Sequence, residues 1–291
     1  MKSRIDNHKG FSLTELMIAM AVGSIIMAVI YSTYQAQQKS YTNQQVAVEM
    51  QQNIRAAMSL IKREIRMAGY DPLASDGVDN DAANGADDPG ESSGAGILSA
   101  TGSFIQFSFD NNANSTTADP NESLTYGFTS GDIDLDGIAD DGAESLSRVD
   151  AGSGTTELIA YDIQGIAFAY AFDDDGDGQL DITPGNGNVI WAVDADDDGF
   201  LDTVLDTDDD GDIDAADTPG GVALDPAFWP TQVDIANIRA VRIWVLARSR
   251  IPIRGHSDNR TYVVGAGRVN SADDFQRRLL VDTVNCRNMG L

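Results

Sequence analysis

The chain has 291 residues, 46 acidic against 19 basic, with a formal net charge of −27, two His and one Cys. That balance argues against nucleic acid as a partner, because phosphate binding needs clustered Lys and Arg. One Cys excludes an intramolecular disulfide and a Cys-rich zinc site, while a 42% hydrophobic content is enough for a packed core.

Residues 1–10 are polar and carry Lys2, Arg4 and Lys9. From Phe11 to Tyr34 the chain is mostly apolar. As a helix this stretch spans about 36 Å at ~1.5 Å per residue, enough for a bilayer core of ~30 Å. Basic residues precede the span, so residues 1–10 are expected in the cytoplasm and the bulk of the chain outside. No A-x-A-like site follows the apolar run, so a secretory signal peptide fits poorly. Glu15 is the odd residue, because a mid-bilayer carboxylate costs ~2.5–3.5 kcal/mol or more and calls for a partner.

The run Gly10-Phe11-Ser12-Leu13-Thr14-Glu15-Leu16 resembles the type IV prepilin signature. The resemblance implies that a dedicated peptidase cuts between Gly10 and Phe11 and that the new terminal residue is methylated. It also implies that Glu15 meets a terminal amine during subunit assembly. Opposite charges neutralise each other in apolar surroundings, which agrees with that role.

Residues 35–68 contain no Pro or Gly. Val46, Met50, Ile54, Met58, Ile61 and Ile65 recur at spacings of four and three, the stripe of an amphipathic helix. Gly69 and Asp71-Pro72 are stop signals. The expected organisation is a leader (1–10), a membrane and assembly half-helix (11–34), an amphipathic half-helix (35–70) and a globular domain (71–291). The segments Gln52–Arg55, Arg63–Pro72, Arg277–Leu280 and Arg287–Leu291 resemble the PilW-type minor pilins. Ser32 stands where many major pilins have a helix-kinking Pro. Cys286 has no partner for the carboxy-terminal disulfide many of them have. Both departures favour a low-abundance minor pilin.

Strand-like runs are Gly96–Phe109, Ser123–Phe128, Thr156–Asp162, Gly165–Phe172, Asn188–Val193, Ile238–Ala247, Arg260–Val264 and Gln276–Thr283. Pattern and resemblance together predict an α+β, pilin-like fold, with an antiparallel sheet packed on the second half of the long helix.

The charge is concentrated between these runs. Residues 71–225 hold 37 of the Asp and Glu residues and a single base, Arg148. Four stretches there read D-x-D-x-D-G-x-x-D. The first is Asp132, Asp134, Asp136 and Asp140; the second Asp173, Asp175, Asp177 and Asp181. The third is Asp194, Asp196, Asp198 and Asp202; the fourth Asp206, Asp208, Asp210 and Asp214, with Asp217 three residues on. Calcium takes six to eight hard oxygens, and alternate carboxylates in a tight loop point at one centre. Gly in the sixth place permits the sharp turn, and Ala139, Leu180, Leu201 or Ile213 in the eighth pins the loop. This resembles the calcium loops of EF-hand, dockerin and thrombospondin type 3 repeats. The twelfth place holds Ala143, Pro184, Leu205 and Asp217, so only the fourth copy has a carboxylate there. One to four calcium ions are expected, with modest affinity on the order of 10⁻⁴–10⁻³ M. A fifth acidic group, Asp76, Asp79 and Asp81, is irregular.

The expected function is that of a minor pilin, processed by prepilin peptidase and held in the inner membrane of a Gram-negative bacterium. It would join other major and minor pilins through the N-terminal helix, at or near the filament tip, so that the domain becomes extracellular. The alternatives are a type II secretion pseudopilin and a calcium-dependent surface adhesin on a pilin anchor. No enzyme is expected. The Asp residues lie in Gly-rich loops among like charges rather than in an apolar pocket, and Ser, His and Cys form no triad pattern.

Overall fold

A computed structural model describes residues 12–74, 92–225 and 232–290. The processing site at Gly10 and Phe11 and the group Asp76, Asp79 and Asp81 lie outside the described residues. The chain divides into two compact units, Met1–Val48 and Glu49–Leu291.

Among its described residues the first unit is helical. Helix α1 (Leu13–Ile65) begins there and is long and apolar enough to cross a membrane. Leu13, Leu16, Met17, Ile18, Met20, Ile25, Ile26 and Met27 are all exposed along it. Ser12 and Glu15 close its start reciprocally. Glu15 N–H donates to Ser12 Oγ (3.2 Å), and Ser12 N–H donates to Glu15 Oε2 (2.9 Å), a capping box that satisfies two orphan donors. Ser32 leaves the helix unbroken and donates its hydroxyl to Val29 O (2.9 Å).

The second unit holds the sheet. Its strands are β1 (Ile97–Ala100), β2 (Ile105–Ser108), β3 (Ser123–Phe128), β4 (Glu144–Asp150), β5 (Thr155–Phe172), β6 (Ala192–Val193) and β7 (Phe200–Leu201). They continue with β8 (Thr203–Val204), β9 (Val222–Ala223), β10 (Val233–Asp234), β11 (Ile238–Arg248), β12 (Thr261–Val264), β13 (Gly267–Asn270) and β14 (Arg277–Asn285). The main sheet is antiparallel and runs β1-β2-β3-β4-β5, after which β5 pairs both β11 and the short β6-β8-β9 branch. Strand β11 lies between β5 and β14, with Trp244 opposite Ala167 on one side and Val281 on the other. Two separate ribbons, β7-β10 and β12-β13, complete the strands.

Met50, Ile54, Ala57, Met58, Ile61 and Ile65 are buried and, from Ile54 on, join the sheet in one core with Phe107, Tyr126, Phe168 and Trp244. Each such aliphatic side chain contributes ~1.5–3 kcal/mol by leaving water. The buried stripe starts at Met50 rather than at Val46. The helix ends at Ile65, short of the expected boundary at residue 70, and the chain passes through tighter turns. Met67 and Ala68 N–H donate to Glu64 O and Ile65 O.

Gly69 (φ +76°) then reverses the chain, and its N–H donates to Ser108 O on β2 (3.0 Å). A Cβ at Gly69 would stand 2.7 Å from Met289 Sδ and 3.1 Å from Asn288 O. Asn288 Nδ2 also donates to Arg66 O (3.1 Å). The two conspicuous ends of the domain sequence therefore meet in space. Gly69→Ala should cost about 1–2 kcal/mol, from the left-handed backbone alone and then from the crowding. A thermal melt checks it, and an unchanged midpoint would show the junction to be slack.

Several strand readings differ from expectation. The run Gly96–Phe109 is a hairpin, β1 and β2, rather than one strand. Thr156–Asp162 and Gly165–Phe172 are one strand, β5, carried across an irregularity at Asp162 (φ +58°). Of Asn188–Val193 only Ala192–Val193 is a named strand. Strand β4 carries no apolar strand pattern because it is mostly polar. Its Arg148 is nevertheless buried, donating to Glu64 Oε2 on the helix (3.0 Å) and to Asn121 Oδ1 (3.0 Å). Tyr126 also donates its hydroxyl to Glu64. The one base of the acidic region is thus a strap between helix and sheet. Cys286 is a buried free thiol, and burial pushes its pKa up to about 12.

Candidate metal centres

The four Asp loops connect strands of the second unit. The first joins β3 to β4, the second follows β5, the third follows β6, and the fourth follows β8. All four share one backbone form. The fourth residue is left-handed in each: Leu135 (φ 60°), Gly176 (φ 70°), Asp197 (φ 58°) and Asp209 (φ 57°). So is the sixth: Gly137 (φ 81°), Gly178 (φ 83°), Gly199 (φ 91°) and Gly211 (φ 95°). At Gly137 a Cβ would also come within 2.2 Å of Ile166 O.

The hydrogen bonds repeat as well. The first carboxylate accepts from the N–H groups of residues five and six. Asp132 takes Asp136 and Gly137 (3.1 and 3.0 Å), and Asp173 takes Asp177 and Gly178 (3.1 and 3.0 Å). Asp194 takes Asp198 and Gly199 (3.1 and 2.9 Å), and Asp206 takes Asp210 and Gly211 (3.3 and 2.9 Å). The fifth carboxylate accepts from the N–H of residue seven in every copy.

In each loop the first, third and fifth carboxylates offer oxygens that all lie within 4.8 Å of one another. Asp173, Asp194 and Asp206 are buried, while their third and fifth partners are exposed. Burial, aided by neighbouring carboxylates, holds Asp132, Asp181, Asp194 and Asp206 above the usual carboxylate range. Each triplet could hold a metal ion, and a divalent cation would reverse that upward shift by compensating the gathered charge.

Closure distinguishes the fourth loop. In the first three the ninth-place carboxylate accepts from the N–H of residue two: Asp140 from Ile133 (2.7 Å), Asp181 from Asp174 (2.8 Å) and Asp202 from Ala195 (3.3 Å). In the fourth, Asp217 accepts from Thr207 N–H (2.5 Å), and Asp214 turns away to cap Ala216. The closing group there is Asp217, not Asp214. Asp214 lends its carbonyl to Arg268 Nη2 (2.8 Å) on the β12-β13 ribbon. The eighth-place residues pack as expected. Ala139 and Leu201 are buried, and Leu180 and Ile213 are half-buried against the core.

Other aspartates of the acidic region are tethers. Ser99 Oγ donates to Asp197 (2.6 Å), Thr183 Oγ1 donates to Asp209 (2.7 Å), and Asn237 Nδ2 donates to Asp174 (3.2 Å). Sequence spacing did not reveal these contacts, because each partner lies far along the chain.

A family model for the prokaryotic N-terminal methylation motif matches residues 5–31. One for prepilin peptidase-dependent protein B matches residues 43–158. One for the type IV pilus-assembly protein W matches residues 138–288, more than half of the chain. The chain belongs to the type IV pilus-assembly protein W family. It is a type IV minor pilin, with one long apolar helix and an antiparallel sheet packed on the part of that helix within the second unit. The family match spans the second, third and fourth Asp loops of this pilin, together with β11 and β14. A type IV-like pilin from Thermus thermophilus is similar at a TM-score of 0.40 and 11% identity, over 82% of this chain and 97% of its own. No curated protein matches the chain.

Proposed function

We propose that this minor pilin is cut between Gly10 and Phe11, held in the inner membrane by the first half of α1, and then built into the filament at or near its tip. Its Asp loops bind calcium there. The observation that carries the calcium reading is the fourfold recurrence of one carboxylate-lined loop, with three acidic oxygens within 4.8 Å in each copy. A solvated acidic linker has no reason to repeat that arrangement. The ligands are Asp132, Asp134, Asp136 and Asp140; Asp173, Asp175, Asp177 and Asp181; Asp194, Asp196, Asp198 and Asp202; and Asp206, Asp208, Asp210 and Asp217. Oxygen donors alone favour a hard cation, and calcium's tolerance of irregular coordination suits loop carboxylates better than magnesium, which demands near-octahedral order.

Calorimetric titration of the full chain in detergent should show calcium uptake with Kd on the order of 10⁻⁴–10⁻³ M. Absence of heat up to ~10 mM would remove the calcium reading. The full chain is needed because a fragment of residues 69–291 would lack the buried face of Met50–Ile65.

Glu15 serves assembly in this reading. The Ser12–Glu15 capping box holds its carboxylate at the start of the helix, where an incoming terminal ammonium of another subunit could displace the Ser12 contact. Glu15→Val should still lose its leader, seen as the mass drop of cleavage after Gly10, yet fall at least tenfold in filament incorporation. A tenfold change corresponds to about 1.4 kcal/mol, well below the mid-bilayer cost of an unpaired carboxylate. Normal incorporation of the variant would end the pairing role.

A further inference from the structure

We propose that the connection between β2 and β3, residues 109–122, is a fifth divalent-cation site, with Asp110, Asn112, Asn114 and Glu122 as side-chain ligands. It goes beyond the four Asp loops and does not depend on them.

The segment lacks the acidic signature. Asn replaces Asp in its third and fifth places, and Ser115 replaces Gly in the sixth. Its backbone nevertheless takes the same form. Ala113 (φ 61°) and Ser115 (φ 59°) are left-handed, in the fourth and sixth places. Asp110 is fully buried and accepts from the N–H groups of Asn114 (3.1 Å) and Ser115 (2.9 Å), as each first-place Asp does elsewhere. It also accepts from Asn112 and Ala113 N–H (3.1 and 2.7 Å). Asn114 Oδ1 accepts from Thr116 N–H (3.3 Å), matching the fifth-place carboxylates.

An independent observation points to a ligand. Glu122 is 2% exposed, and its Oε2 has no hydrogen-bond partner among the described residues. Its other oxygen, Oε1, accepts from Asn111 N–H (2.9 Å), the second residue of the loop. That is the closing contact made by Asp140, Asp181, Asp202 and Asp217. The carboxylate is therefore seated on the loop with one oxygen used and the other buried and unanswered. A buried carboxylate oxygen without a donor or cation is costly, and a bound cation removes that cost.

Asp119 completes the arrangement from outside. It accepts from Asn112 Nδ2 (2.9 Å) and Asn114 Nδ2 (2.6 Å). Both amides are held by their NH₂ ends, which leaves their carbonyl oxygens as the ligand atoms, in the way outer partners orient ligands at metal sites. Two carboxylates and two amide oxygens suit calcium chemistry.

The test uses the full chain in detergent with calcium as the probe, counting bound ions by native mass spectrometry and measuring affinity by calorimetry. Glu122→Gln should carry one ion fewer than the parent, whatever number the Asp loops hold. An unchanged ion count would overturn the site and leave the reading of the four loops intact. A second background removes the exposed third-place ligand oxygens together: Asp134→Ala, Asp175→Ala, Asp196→Ala and Asp208→Ala. It should keep one ion, which Asn114→Asp tightens about tenfold by adding charge. No retained ion, or an affinity that Asn114→Asp does not change, would overturn the proposal even where Glu122→Gln fails to fold. Should the parent bind a single ion that Glu122→Gln removes, the four-loop reading falls and this site stands.

Discussion

Raising free calcium from a chelated baseline to about 10 mM should lift the melting temperature of the full chain by roughly 10–20 °C. The arithmetic follows from mass action. A site with Kd near 1 mM at ten times that concentration stabilises the folded state by about 1.4 kcal/mol, and four sites by about 6 kcal/mol. A domain of this size shifts by roughly 2–4 °C per kcal/mol. The gain arises because the folded chain brings three carboxylates within 4.8 Å in each loop, whereas the unfolded chain scatters them. Magnesium at the same concentration should do much less, since it gives up its water reluctantly. A shift below about 2 °C, read by circular dichroism, would mean that the clusters are merely solvated acids.

Arg277→Ala should destabilise the domain by about 3–5 kcal/mol, a drop of roughly 10 °C, even in saturating calcium. Arg277 opens β14, and its side chain is 2% exposed. It grips Asp273 with two bonds of 2.6 Å, Gln164 Oε1 at 2.6 Å and Asp258 at 3.4 Å. Tyr262 and Arg260 also donate to Asp258 (both 2.9 Å). Removing Arg277 strips a buried carboxylate of one cation and leaves Gln164 unpaired, while Arg277→Lys should recover part of the loss by keeping the charge without the planar fork.

The same cluster sets an acid limb. Burial opposes ionisation of Asp258, but its Arg260, Tyr262 and Arg277 partners outweigh burial and hold its pKa at about 2. A carboxyl group depressed in the folded state stabilises above its unfolded value of ~3.9, and that contribution is lost as pH falls toward 2. Melts from pH 5 to pH 2 should therefore show a shallower acid loss in Arg277→Ala than in the parent. Parallel acid curves, with the variant simply offset, would mean that Arg277 does not govern the titration of Asp258.

The sequence made some of this legible and hid the rest for physical reasons. The helix was readable because Met50, Ile54, Met58, Ile61 and Ile65 bury one face at helical spacing. The four loops were readable because the carboxylates and backbone N–H groups that repeat in each lie within about a dozen residues of one another, whereas their tethers to Ser99, Thr183 and Asn237 were not. The Arg277 cluster was not, since Gln164, Asp258, Asp273 and Arg277 meet only after β5, the β12-β13 ribbon and β14 come together. Arg148 looked like a stray base because its partner, Glu64, lies 84 residues away on the helix. Both Asp214 and Asp217 were expected at the fourth loop, but spacing alone does not tell which carboxylate accepts from Thr207 N–H.

Cys286 has a practical consequence. Its thiol is buried and stays protonated at any working pH, so it offers almost no thiolate to a maleimide or an iodoacetamide. The native chain is thus close to silent toward thiol-directed probes. A cysteine introduced at an exposed loop position becomes the single labelled atom, and a fluorophore or gold particle placed there would report where along a fibre each copy sits.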